Sequence, residues 1–287
     1  MATGGKAVRA ATEKAARGKV PYVVSAFACG LGTGVCQLEI GDKGNEITDI
    51  PKPVEMMDIG GCTVTIDAIG TQRAIMDLIV GKGGHFCLQL KRNQPTAFEG
   101  VEGYFADQLE RAARKRPHDA LDEFRTVEKG HGRIETRTYR TLTDATQVGL
   151  ALPDGWGHVR CLGMAVLERE VVGDPSRRSV ETHYHVMDVA MGAERYAGLA
   201  RGHWGQENAL HHVLDVQFGE DACTARADNA ISNLTLLRKV VFNIVRQVKG
   251  RKSTRAVMTD FMMDADLFMP FLYERVPVGV ADGSISL

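Results

Sequence analysis

Polar and apolar residues alternate from Val35 to Ile40, with Val35, Gln37 and Glu39 interleaving with Cys36, Leu38 and Ile40. That period of two is the signature of a strand. A second β-prone run, Val20–Ala28, lies just upstream, and the segment between them is glycine-rich (Cys29-Gly30-Leu31-Gly32-Thr33-Gly34). The pattern predicts a hairpin. A Gly-x-Gly-x-Gly turn cradles a dinucleotide only when a helix follows it. The alternation after Gly34 therefore argues against a small-molecule α/β enzyme built on this turn. Glu46–Asp58 reads as a helix interrupted by Pro51 and Pro53, with Lys43, Asn45 and Glu46 as a turn and cap.

The next unit is strand, helix, strand. Cys62–Asp67 is an apolar run. Thr71–Val80 sets Ala74, Ile75, Leu78 and Ile79 on one helical face before Gly81, Gly83 and Gly84 stop it, and His85–Leu90 alternates Phe86, Leu88 and Leu90. This is a βαβ crossover with parallel strands. Phe98–Arg116 follows as an amphipathic helix, and Pro117–Gly130 reads as a polar loop. Three β-type runs come next, Gly132–Leu142, Cys161–Val172 and Arg178–Met187, with Val172–Arg178 as a hairpin turn. From Ala193 the period becomes helical. Tyr196, Leu199, His203, Leu210 and Leu214 share a stripe with Ala200, Trp204 and His211 beside it. A last helix, Ile231–Lys249, carries Leu234, Leu237, Val241, Ile244, Val245 and Val248 on its apolar face and ends at Gly250. The chain has no internal repeat.

Two carboxylates break these patterns. Asp67 ends an apolar strand, and Glu207 sits within the helical stripe. A charge in either place must be paired or bind a cation. Acids on separate elements are the donor set that holds divalent ions for phosphoryl transfer, and Mg2+ favours such oxygen ligands. Three acids are the usual complement, and the pattern supplies two. Asp215, Glu220 and Asp221 read either as a reserve acid cluster or as surface charges and helix caps. His211 and His212 are adjacent on a helix and point different ways, which argues against a transition-metal site. Lys91, Asn93 and Gln94 follow the carboxyl end of the His85–Leu90 strand. Open α/β sheets bind ligands at that edge, so these residues read as phosphate contacts or as plain loop.

Composition narrows the setting. The 287 residues carry a net charge of −1, so bulk charge announces no nucleic-acid partner. Basic residues nonetheless cluster at Arg111–Arg116, at Arg133, Arg137 and Arg140, and from Arg238 to Arg255, as phosphate contacts or as solvated faces. Six cysteines form no Cys-x-x-Cys pair, which fits a reduced, cytoplasmic chain better than a disulfide frame or a zinc site. No apolar run is long enough to span a membrane, and no signal peptide is visible.

Six motifs then come in one order. They are Val20-Pro-Tyr-Val-Val-Ser-Ala-Phe-Ala, Lys43-Gly-Asn-Glu-Ile-Thr, Val64-Thr-Ile-Asp-Ala, Leu90-Lys-Arg-Asn-Gln, His131-Gly-Arg-Ile-Glu-Thr-Arg and Arg201-Gly-His-Trp-Gly-Gln-Glu-Asn-Ala-Leu-His, the last continued by Leu214-Asp-Val-Gln-Phe-Gly-Glu-Asp. Together, from about Gly4 to about Arg246, they resemble the DDE transposases of ISAs-type, H-repeat-associated insertion sequences. The resemblance implies an α/β fold: a ribonuclease-H-like mixed sheet flanked by helices, with a β-rich insertion before the acidic helix. Residues 1–116 and 190–255 would form the core, 117–189 the insertion and 256–287 an irregular tail.

The resemblance also implies a function. In that family Asp67 would be the second Asp and Glu207 the helix Glu of the triad, holding Mg2+ (or Mn2+) for cleavage and transfer of DNA strands. The first Asp would lie on the opening strand in a pattern like Ile-Asp-Gly-Lys, and this chain places Gly4 there, in Ala2-Thr3-Gly4-Gly5-Lys6. Related transposases carry Tyr and Arg where Ala200 and His203 stand, while Arg201 and Trp204 fit the ISAs-type pattern. The expected partners are the transposon ends and target DNA, with no membrane, and a second copy of the chain as a candidate. Lys91, Asn93, Arg133, Arg201 and Trp204 are the expected DNA contacts, although Trp204 reads more readily as a core residue. The expectation is an N-terminally truncated, defective transposase, with an inactive DNA-binding remnant as the alternative.

Overall fold

The computed structural model describes residues 2–7, 22–28, 33–40, 51–116, 121–130, 132–144, 148–149, 151–206, 210, 212–223, 230–267 and 269–270. The chain divides into two compact units. Met1–Gly4 and Ile47–Trp204 form the first, and Gly5–Glu46 and Gly205–Leu287 the second.

The first unit is built on a mixed sheet. Strand β1 (Ala2–Ala7), whose first residues belong here, runs parallel to β4 (Thr63–Ile66), with Ala2 opposite Thr65 and Thr3 opposite Ile66. β4 runs parallel to β5 (His85–Leu90), from Thr63 opposite His85 to Ile66 opposite Leu88. Between them lie a 3-10 turn, Ala68–Gly70, and a helix, Arg73–Gly81. The predicted crossover is therefore present, but the helix starts two residues late. The buried Thr71 hydroxyl donates to the Gln89 carbonyl (2.6 Å), which holds the chain at the sheet before the helix begins.

In chain order the helices of this unit are α1 (Pro51–Met56), α2 (Arg73–Gly81), α3 (Pro95–Ala113) and α4 (Ala193–Gln206). Pro51 is the first residue of α1. A proline in the first turn loses no hydrogen bond, because its N–H would have no intrahelical partner there. The segment Glu46–Ile50 lies outside the described residues. One core packs Val64, Ile66, Phe86, Leu88 and Leu90 of the parallel strands against Ile75, Met76 and Ile79 of α2 and Val101 and Phe105 of α3. Phe86 is fully buried and its neighbour Cys87, on the opposite face, is 1 % exposed, so both faces of β5 are covered, as parallel strands require.

The sheet continues through four antiparallel strands: β6 (Asp122–Gly130), β7 (Arg133–Leu142), β8 (Cys161–Val171) and β9 (Asp174–Met187). Their order from β5 is β9-β8-β7-β6. β6 corrects the polar loop expected at Pro117–Gly130. It is the edge strand and most of its side chains face solvent, so it shows no apolar alternation. Backbone pairing from Asp122 opposite Thr141 to Gly130 opposite Arg133 defines it instead. The turn into β9 is also tighter than expected. Gly173, at φ 87°, takes the left-handed conformation that a short hairpin needs, and pairing resumes at Asp174.

Helix α4 covers the other face. Tyr196, Ala197 and Ala200 pack against Cys87, Tyr139, Cys161, Ala165 and Met187. The first residue of β6 caps it, since Asp122 Oδ2 accepts from the Ala193 N–H (2.7 Å). The antiparallel strands thus help to fix the helix that the sequence marks as acidic.

In the second unit, β2 (Tyr22–Ala28) and β3 (Thr33–Ile40) form the predicted hairpin, from Tyr22 opposite Ile40 to Ala28 opposite Thr33. Its strand order is β3-β2-β1, since Gly5–Ala7 of β1 belong to it. Three helices follow, α5 (His212–Val216), α6 (Ala230–Val248) and α7 (Thr254–Met263). The Asn243 side chain of α6 donates to the Gly34 carbonyl (2.8 Å) and accepts from the Gly34 N–H (2.9 Å), pairing with β3 as a strand would.

The buried face of α6 is not the one expected. Thr235, Lys239, Phe242 and Val245 are buried, while Leu234 and Leu237 are exposed. The buried face takes in the polar Thr235 and Lys239, so apolar periodicity points away from part of it. Residues 256–263, expected to be irregular, complete α7, which Ser253 caps by accepting from the Ala256 N–H (3.1 Å).

The described cysteines Cys62, Cys87, Cys161 and Cys223 are free thiols. Burial pushes the Cys161 thiol up to about 11 and Cys87 higher still. No helix among the described residues is long and apolar enough to cross a membrane.

Candidate active site at the strand ends

Asp67 stands at the carboxyl end of β4, half-buried. Its Oδ1 accepts from the Ile69 N–H (3.2 Å), so the carboxylate caps the 3-10 turn after it. No further partner of its Oδ2 is found among the described residues. Continuing the parallel register places Gly4 of β1 on one side of Asp67 and Gln89 of β5 on the other.

The polar residues expected at this edge mostly build the edge itself. Asn93 Nδ2 donates to the Ala68 carbonyl (2.7 Å), and Gln94 Nε2 donates to the Thr71 carbonyl (2.9 Å). These bonds tie the loop after β5 to the turn after Asp67. Lys91 is exposed on the same loop.

Beside Asp67 lies a group of polar side chains that the sequence reading did not single out. Gln89 is 5 % exposed, and its Nε2 meets His183 Nδ1 at 2.9 Å. His185, two residues on along β9, shares a hydrogen bond with the Tyr196 hydroxyl (2.8 Å). Burial, with His203, His183 and Lys91 as positive neighbours, drives His185 down to about 3, so its ring is neutral. Burial likewise holds the Tyr196 phenol well above its ordinary range. On β4, Thr65 Oγ1 meets His203 Nδ1 of α4 at 3.1 Å. The signal was present in the sequence, because Gln89 interrupts the apolar run of β5 and His183 and His185 alternate with Tyr184 and Val186 at the end of β9.

An ion-pair ladder extends from this group across the antiparallel strands. Arg201 of α4 meets Glu128 (2.7 Å), and Arg137 joins Glu128 (2.7 Å) to Glu135. Arg169 then links Glu135 (3.5 Å) to Glu181 (2.9 Å), and Glu181 reaches His183 (3.6 Å). The hydrogen bonds from Arg137 and Arg201 hold the Glu128 carboxyl below its usual range. Arg201 is thus engaged with an acid.

The remaining predicted site residues are dispersed. Arg133 lines a hollow of about 320 Å³ with Arg169, Arg177 and Arg178, at the end of β8 remote from Cys161. Trp204 belongs to α4, but its side chain lies outside the described residues, as do Glu207 and His211. Glu220, read as a reserve acid or as a surface charge or helix cap, is 1 % exposed, which corrects the surface reading. Among the described residues no group of three or more His, Cys, Asp or Glu could hold a metal ion.

Residues 8–244 match the family described as Transposase DDE domain. YncI of Escherichia coli O157:H7 is 31 % identical over 252 residues, covering 88 % of this chain and 63 % of the relative. YhhI of Escherichia coli (strain K12), described as H repeat-associated, is 30 % identical over 254 residues, covering 88 % of this chain and 65 % of the relative. Both carry transposase in their names. This chain therefore spans just under two thirds of the relatives it matches. Among solved structures, the piggyBac transposase synaptic complex with hairpin DNA aligns over 96 % of this chain and 54 % of its own, at 9 % identity and a TM-score of 0.48.

Proposed function

The chain belongs to the transposase DDE-domain family, and on that premise we propose that it binds DNA and descends from an enzyme that cleaves and joins DNA strands with a divalent ion. Asp67 and Glu207 are the acids that would hold Mg2+ or Mn2+. The donor chemistry fits: Asp67 offers a hard carboxylate oxygen at the open end of a parallel strand, where α/β sheets bind ligands. When bound, such an ion supplies Lewis-acid activation of water and of the scissile phosphate. The protein's part is to hold Asp67 in place, through the Ile69 N–H on its Oδ1 and the Asn93 and Gln94 bonds beneath it.

The observation that carries the reading is the parallel pairing of β1 with β4, Ala2 opposite Thr65 and Thr3 opposite Ile66, which ends just before Gly4 and Asp67. It supports reading Gly4 as standing at the family's first acidic position, beside the second. A glycine offers no ligand, so the site in this chain is short of one carboxylate. The same observation favours a second reading, in which the protein binds DNA without cutting it.

Restoring the acid separates the two readings. Mn2+ titration by calorimetry is expected to show weak binding to the 287-residue chain and binding at least about 10-fold tighter to Gly4→Asp. Asp67→Asn should abolish binding in both backgrounds. DNA nicking by Gly4→Asp alone supports the defective-enzyme reading, and DNA binding without nicking in either form supports the remnant. Mn2+ binding that ignores Asp67→Asn would overturn the site.

A further inference from the structure

We propose that the arginine-lined hollow at the far end of β7, β8 and β9 grips the phosphate backbone of DNA that lies against the Asp67 edge. The inference deepens the DNA-binding reading above and rests on it.

Strand register sets the place. Ile66 of β4 pairs with Leu88 of β5, Leu88 with Val186 of β9, and Val186 with Leu162 of β8. Past this row β4 stops at Ile66 and β5 at Leu90, while β8 continues in the same direction to Val171. At about 3.3 Å per residue, Arg169 stands roughly 20 Å beyond the row of Leu162. The antiparallel strands therefore overhang the edge on which Asp67 stands, and the hollow lies at the end of the overhang.

That end is built to hold its shape. Arg133 pairs with Val171, and the Val172 N–H donates to the Gly132 carbonyl (2.9 Å), which joins the two hairpin turns. In β9 the pairing jumps from Asp174, opposite Val171, to Arg178, opposite Glu170, so residues 175–177 bulge from the ladder. Asp174 Oδ1 accepts from the Ser176 N–H (3.2 Å) and from its hydroxyl (2.5 Å), which fastens the bulge. Bulges re-aim side chains, and Arg177 lines the hollow with Arg133, Arg169 and Arg178.

Acids offset two of these four cations. Arg169 meets Glu135 (3.5 Å) and Glu181 (2.9 Å), and Arg178 meets Glu168 (2.6 Å) and Glu170 (3.5 Å), the latter also in the lining. Arg133 and Arg177 are exposed, and among the described residues neither is paired with an acid. Like charges gathered in this way repel, and an anion between them relieves the repulsion. Guanidinium forks match phosphate oxygens two at a time. A duplex presents a continuous row of phosphates, so one duplex can meet the Asp67 edge and the hollow together.

The test is fluorescence anisotropy with two unrelated DNA duplexes of about 20 base pairs, titrated with the full chain and its variants over a range of salt concentrations. Circular dichroism confirms folding. Arg133→Ala combined with Arg177→Ala should weaken both duplexes equally, by at least about 10-fold at low salt. The slope of log affinity against log salt should fall by about 1 for each arginine removed. Lysine at both positions should restore most of the slope, because a point charge also displaces counterions. Arg125→Ala combined with Arg160→Ala removes two exposed cations elsewhere on the sheet and should leave the slope nearly unchanged.

If the parent binds DNA and the Arg133/Arg177 alanine pair binds it equally, with the same slope, the hollow is refuted as a DNA grip and the DNA-binding reading stands. A loss matched by the Arg125/Arg160 pair means that DNA senses net charge alone, which also refutes it. A parent that sediments as a dimer and a variant that sediments as a monomer would assign the hollow to a second copy of the chain and overturn the proposal. A parent that binds no DNA removes both readings. Should the alanine pair misfold, the two single variants carry the same test.

Discussion

The Tyr196 hydroxyl and His185 Nδ1 lie 2.8 Å apart, enclosed between α4 and the sheet. The Tyr196 ring also meets Tyr139 edge-on, with centroids 5.8 Å apart. Tyr196→Phe keeps the ring and strands the imidazole nitrogen, so it should cost about 1–3 kcal/mol. Adding His185→Phe should return part of that loss, since replacing both partners leaves no unpaired polar atom. Denaturant unfolding of the two variants checks this. A double variant weaker than the sum of its singles would contradict it.

The same histidine predicts an acid-sensitive fold. Its ordinary value of 6.5 falls to about 3 in the folded chain, because burial disfavours the charged ring. The unfolded chain takes up a proton near 6.5 and the folded chain only near 3. The stability from neutral His185 is therefore complete above 6.5 and drains away as pH falls from 6.5 toward 3. Melting temperature measured from pH 8 to pH 4 should fall below 6.5, and His185→Gln should flatten that limb. An unchanged slope in the variant would assign the acid sensitivity to other groups.

Two glycines of α3 should respond oppositely to alanine. A Cβ at Gly100 would lie 2.2 Å from the Ala151 carbonyl oxygen, a backbone atom that cannot swing aside. Gly100→Ala should destabilise by at least about 1–3 kcal/mol. Gly103 has nothing within 4 Å of its added Cβ, so Gly103→Ala should gain up to about 1 kcal/mol from helix propensity. Thermal melts of the pair decide it.

Arg137 is the centre of the ladder, 15 % exposed and bonded to both Glu128 and Glu135. Arg137→Ala should cost about 1 kcal/mol or more at low salt, because it also leaves Glu128 and Glu135 without their shared cation. The deficit should shrink in 1 M NaCl, where the remaining acids are screened. A salt-independent deficit would mean the loss is one of packing.

Much of the fold was legible in the sequence because its signals are local. The βαβ unit follows from Val64, Ile66, Leu88 and Leu90, and the hairpin from alternation on both sides of the Gly30–Gly34 turn. β6 was not legible, because an edge strand with solvent on most side chains is held by backbone pairing that leaves no apolar trace. The buried face of α6 was not legible either, because it includes the polar Thr235 and Lys239 while Leu234 and Leu237 face solvent, against the apolar pattern.

At the candidate site the division is similar. Asp67 was legible because a charge closing an apolar strand is costly, and its side chain does end β4 at the open edge. The sequence by itself determined which elements form and which residue types break their patterns, since period and polarity are carried by neighbours in the chain. Only the tertiary structure decided that Thr3 pairs with Ile66, that His203 meets Thr65 and that Arg201 is occupied by Glu128. Those relations join residues tens to more than a hundred positions apart, and the register of a parallel strand or the rotation of a packed helix is set by the whole core.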